Sequence, residues 1–151
     1  METARAQPCA IFFDPLLPPD RHVSAVPRPL TSQNADADDT PWVVCLCAQW
    51  CGTCRDYRPL FEEVARAHPA LRFAWVDIED HADIADDFDV ETFPTILVAS
   101  RGQGTRFLGP LLPNTQTLTR VLTALAPGQD AAPEVDTLLA AIERAPDQFQ
   151  V

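Results

Sequence analysis

From Trp42 the chain runs Trp42-Val43-Val44-Cys45-Leu46-Cys47-Ala48 without a polar residue, which fits a strand buried on both faces, as in a sheet covered by helices. Thr53 to His68 follows with Leu60, Phe61, Val64, Ala65 and His68 at helical spacing; Pro59 in its interior should kink the helix near Arg55, and Pro69 closes it. Leu71 to Asp77 reads as a second central strand and Ala82 to Asp87 as a short acidic helix, completing a β-α-β unit. Thr95–Ala99 and Gly104–Leu108, joined by Ser100-Arg101-Gly102-Gln103, predict an antiparallel hairpin. Asn114 caps a helix carrying Leu118, Val121, Leu122 and Leu125, and beyond Pro127-Gly128 a second apolar stripe, Val135, Leu138, Leu139 and Ile142, predicts one appended helix. Three regions result: a proline-rich acidic arm over 1–40, a core domain over 41–127, and a helix with a tail over 128–151. Within the arm, Ala10–Phe13 or His22–Val26 could add an edge strand.

Composition sharpens this division. Seven of the 15 prolines fall in the first 41 of 151 residues, so the arm is expected to be largely flexible. The net charge is −11 and every basic residue is an arginine, a balance that argues against a nucleic-acid partner. The acidic stretch from Asp77 to Glu91 reads as a solvated face or an attraction for basic proteins. The longest apolar run is far below the roughly 20 residues that span a bilayer, so no membrane partner is expected. Cys9–Phe13 is too short for a secretory core. These features lead to the expectation of a cytoplasmic protein among reduced thiols.

Four of the five cysteines fall between Cys45 and Cys54. A lone C-x-x-C is weak, because half a zinc site or a chance pair spells the same letters. Here the pair sits where a buried strand hands over to a helix. The unpaired N–H groups and positive dipole end of that helix stabilise a thiolate, which marks Cys51 as the attacking sulfur. Cys54, one turn deeper, can displace a reduced partner from Cys51 in a two-electron exchange through a mixed disulfide. Gly52 keeps the helix entry unobstructed.

Trp50-Cys51-Gly52-Thr53-Cys54, then Pro59, and Thr92-Phe93-Pro94-Thr95 opening the hairpin together resemble the thioredoxin superfamily over about residues 42–126. The resemblance implies an α/β fold with a mixed central sheet of four to five strands flanked by helices. It makes Pro94 a cis-proline beside the dithiol and leaves the backbone of Phe93 free to pair with an extended substrate. It also implies protein-disulfide reduction or exchange in redox homeostasis, with disulfide-containing protein clients, an electron donor of the thioredoxin reductase or glutathione type, and no cofactor. The family's first strand and helix are not evident in residues 1–40.

Several positions depart from the family pattern. Thr53 stands where many thioredoxins have proline; Cys45 replaces the buried aspartate, Trp75 its partner lysine, and Cys47 an aromatic residue. Strand alternation puts Cys45 and Cys47 on one face. They are small buried hydrophobes, or Cys45 is a third thiol close to Cys54, or the four sulfurs hold a soft metal. No metal ligand is assigned. His68 suits a helix C-terminus, His22 lies in the arm, His81 reads as surface, and Cys9 is an isolated thiol. Two rivals to the oxidoreductase remain: a binding or assembly module using Trp50, Phe93 and Pro94 with little turnover, and a metal or cluster carrier.

Overall fold

The computed structural model describes residues 40–129 and 132–151; the arm, with both candidate edge strands and Cys9, lies outside them. Four strands, β1 (Trp42–Cys47), β2 (Arg72–Asp77), β3 (Thr95–Ser100) and β4 (Gly104–Pro110), form one mixed sheet in the order β2-β1-β3-β4. β1 pairs parallel with β2 and antiparallel with β3, and β4 returns antiparallel on β3. The helices are α1 (Gly52–Ala67), α2 (Ala82–Ala85), α3 (Thr115–Thr123) and α4 (Pro133–Arg144), with a 3-10 turn at Pro146–Gln148. A mixed sheet between helices is the fold the resemblance implies.

All six β1 residues are buried because both faces of the sheet are covered. Val43, Cys45 and Cys47 pack with Tyr57, Phe61 and Val64 of α1 and with Leu118 and Leu122 of α3. Trp42, Val44 and Leu46 face the other way, into Val135, Leu138, Leu139 and Ile142 of α4. The helix expected as an appendage therefore supplies one of the two covering layers. Its stripe of apolar residues is too wide to be left in water.

α1 begins at Gly52 and runs through Pro59 to Ala67. Pro59 is tolerated because it and Arg55, whose carbonyl loses its bonding partner, lie on the exposed side. The hairpin turns through Gly102 and Gly104, at φ of 70° and 83°, where a side chain would be strained. Gly128 is required for a different reason. A Cβ there would sit 2.0 Å from the Gln103 carbonyl oxygen, since Gln129 bridges to Thr105 through two backbone hydrogen bonds of 2.9 and 3.0 Å.

The C-terminal tail returns to the sheet. Phe149 is 3% exposed, and its carbonyl accepts from the Trp75 N–H at 3.0 Å on the outer edge of β2. Its ring lies 4.5 Å from that of His81, so His81 is half-buried rather than the surface residue expected. The acidic stretch is exposed at Asp83, Asp86, Asp87, Asp89 and Glu91, which is a solvated face.

Candidate functional site

Cys51 is the N-cap of α1, with extended backbone (φ −75°, ψ 108°), and its Sγ accepts from the Cys54 N–H at 3.4 Å. Its own N–H donates to the Ala48 carbonyl at 2.9 Å, closing the turn between strand and helix. The thiol thus occupies the place where a serine or aspartate usually satisfies the orphan donors of a first helical turn. Cys51 is half-buried, while Cys54 is 1% exposed. An incoming sulfur can therefore reach Cys51 but not Cys54.

Trp50 stands beside the dithiol, 62% exposed, and its indole Nε1 donates to Glu79 Oε1 at 2.9 Å. Its ring meets Phe93 edge-on, with centroids 5.7 Å apart. The Phe93–Pro94 peptide bond is cis. Thr95 Oγ1 ties the loop by donating to the Thr92 carbonyl at 2.6 Å, and the Leu111 N–H donates to the Pro94 carbonyl at 3.3 Å. Phe93's own backbone N–H and C=O make no hydrogen bond among the described residues. Thr53 and Gly52 are exposed on the helix start; a Cβ at Gly52 would meet only Arg55 Nη2, at 3.7 Å. The chain itself thus does not need glycine there, and the space it leaves faces outward.

Behind the dithiol the sulfurs form a buried chain. Cys45 and Cys47 Sγ lie 3.5 Å apart on the α1 side of β1, in one cluster with Cys54, whose ionisation Cys47 and Cys51 both influence. Of the two thiols on β1 it is Cys47, rather than Cys45, the third thiol expected there, that acts on the ionisation of Cys54. Strand rise explains this, since Cys47 is nearer the end of β1 that meets α1. The hydrogen bond shared with Cys45 and then burial push the Cys47 thiol far up in pKa; burial first, then Cys47, does the same to Cys54. Tyr57 is raised by burial and by the charges of Cys45 and Cys47, and its hydroxyl has no hydrogen-bond partner among the described residues. Cys45 and Trp75 are register partners on β1 and β2, so the two departures from the family's buried acid and base face each other.

A cavity of about 290 Å³ is lined by Cys54 together with Arg58, Trp75, Asp77, His81 and Gln150. Arg58 lies 5.4 Å from the Trp75 ring centroid and donates to the Gln150 carbonyl at 3.4 Å. Among the described residues no group of three or more His, Cys, Asp or Glu side chains is placed to hold a metal ion.

Sequence reasoning located Trp50, Cys51, Cys54, Phe93 and Pro94, and the fold brings all five together. It missed Glu79, Tyr57 and the tail around Gln150. Glu79 was one of many acids with nothing to single it out, and Tyr57 looked like any core aromatic. A lone Phe149 in a polar terminus was the available signal for the tail.

A strand-turn-helix that caps a helix with one thiol, buries a second one turn on and sets a cis-proline loop alongside defines a dithiol site on a thioredoxin fold. The thioredoxin family model matches residues 30–120, and the chain belongs to the thioredoxin family. It is 43% identical over 65 residues to the mitochondrial thioredoxin of Mus musculus, covering 42% of this chain and 39% of that protein. Thioredoxin H4-2 of Oryza sativa is 29% identical over 97 residues, 64% of this chain and 71% of its own. The crystal structure of a poplar thioredoxin h superposes with a TM-score of 0.52 at 24% identity, over 60% of this chain and 79% of that one, a likeness of fold. The chain spans about two fifths of the length of the mitochondrial thioredoxins it matches.

Proposed function

We propose that the chain is a thiol-disulfide oxidoreductase that reduces or exchanges disulfides of protein clients through Cys51 and Cys54. The observation that carries this reading is the pairing of an accessible, helix-capping Cys51 with a buried Cys54 whose N–H donates to it at 3.4 Å. Cys51 thiolate attacks a client disulfide; one client sulfur leaves as thiol, and the other stays joined to Cys51. Cys54 then loses its proton and attacks Cys51 Sγ, releasing the second client thiol and leaving a Cys51–Cys54 disulfide. Membership of the thioredoxin family supports the same chemistry.

The open backbone of Phe93 supports pairing with an extended client segment, with Trp50 giving it apolar contact. Proton removal at Cys54 lacks the acid and base of the family, and the cavity at Asp77 and His81 offers it a solvated route. The oxidised protein needs a donor of the thioredoxin reductase or glutathione type, in a compartment of reduced thiols such as the cytoplasm. Trapping tests the assignment: Cys54→Ser should freeze the mixed disulfide on Cys51 and identify the client, whereas recovery of no Cys51-linked protein contradicts it.

A further inference from the structure

The geometry points to a second redox pair, Cys47–Cys54, into which the Cys51–Cys54 disulfide can migrate inward; this rests on the oxidoreductase reading above. Cys47 is fully buried at the end of β1 and packs in one apolar cluster with the buried Cys54 of the facing helix, close enough for each thiol to act on the other's ionisation. Cys45 Sγ lies 3.5 Å from its sulfur, yet a bond between those two is barred. Residues two apart on one strand are separated by about 6.6 Å with parallel Cβ vectors, while a disulfide needs Cβ atoms within about 3.5–4.5 Å. Cys54 lies on the buried face of α1, which packs on the face of β1 that carries Cys47, so the two thiols belong to opposite sides of one interface. Cys45 then acts as the hydrogen-bond partner that holds the Cys47 sulfur.

The same cluster contains a group suited to the charge such a step creates. Tyr57, three residues after Cys54 on the buried face of α1, has a fully buried hydroxyl without a partner among the described residues, and Cys45 and Cys47 are close enough to act on its ionisation. That hydroxyl is free to donate to a developing Cys47 thiolate. In the migration Cys47 gives up its proton and attacks Cys54 Sγ; the Cys54–Cys51 bond breaks, and Cys51 leaves with the electron pair and takes up a proton. No net oxidation occurs. The product keeps a buried disulfide and an exposed Cys51 thiol that has lost its resolving partner, so a client joined to Cys51 in that state stays joined.

Disulfide mapping tests this on the full chain. Cys51→Ser, which leaves a competent N-cap, is reduced, freed of reductant and oxidised with diamide, which takes two electrons and two protons from a pair of thiols. After alkylation, chymotrypsin cuts at Trp50 and separates Cys47 from Cys54 for mass spectrometry. The expected result is a Cys47–Cys54 linkage in the monomer, lost in Cys51→Ser combined with Cys47→Ala. Wild-type protein alkylated at Cys51 alone should give the same linkage. Cys47 and Cys54 both remaining alkylatable in those two samples overturns the second pair. Failure of untreated wild type to form Cys51–Cys54 would instead overturn the oxidoreductase reading, so the two failures are distinguishable.

Discussion

Cys51 owes its accessibility to the strand that ends four residues before it and its electrostatic setting to the helix that begins one residue after it. Behind it, Cys47 is held protonated by Cys45 and by burial, and Cys54 by burial and by Cys47, which ties stability to pH. Below the ordinary thiol pKa of about 8.5 folded and unfolded chains carry the same protons. Above it only the unfolded state releases them. The reduced protein should therefore lose roughly 1.4 kcal/mol per pH unit for each such thiol as pH rises beyond about 8.5, with Tyr57 adding to the loss above about 10. Urea unfolding across this range should show the slope reduced in Cys47→Ala; equal slopes would mean that Cys47 titrates alike in both states.

The facing pair Cys45 and Trp75 gives a second residue-scale test. Cys45→Asp buries a carboxylate without a partner and should cost about 3–5 kcal/mol. Trp75→Lys in the same chain should recover part of that, with a coupling of about 1–3 kcal/mol in a double-mutant cycle. Zero coupling would mean that positions 45 and 75 do not share one environment.

Among elements, α4 and the tail carry the clearest stability predictions. Phe149 fills a core site and its carbonyl bonds the edge of β2, so Phe149→Ala should cost about 3–5 kcal/mol; a change near zero in thermal unfolding would show that the tail is not docked. Gly128→Ala places a methyl 2.0 Å from the Gln103 carbonyl, and the backbone shift it forces should cost about 1–3 kcal/mol. Most elements were legible because their periods are unambiguous: the apolar run of β1, the Asn114 cap whose Oδ1 accepts from the Thr117 N–H at 2.7 Å, and the glycines of the β3-β4 turn. The role of α4 was not, because an apolar stripe shows that a helix packs but not on what. The order of the sulfurs also escaped, since alternation gives the face of a strand and not the distance from its end to a helix.

For the molecule as a whole, two apolar layers on a four-strand sheet fix the end of β1 and the start of α1, and the cis-proline loop is set beside them. The exposed acidic stretch reaches this site through Glu79, bonded to Trp50, so surface charge and the dithiol meet at one edge. The dithiol itself was readable because its chemistry is local: two thiols one helical turn apart at a strand-helix junction. The central claim is turnover by that dithiol. It is tested most directly by following reduction of a disulfide-bonded protein such as insulin, recycled by dithiothreitol, for wild type and Cys51→Ser side by side. The account predicts many turnovers for wild type and a fall to the uncatalysed rate for Cys51→Ser; an equal rate for both, or none above background for wild type, contradicts it.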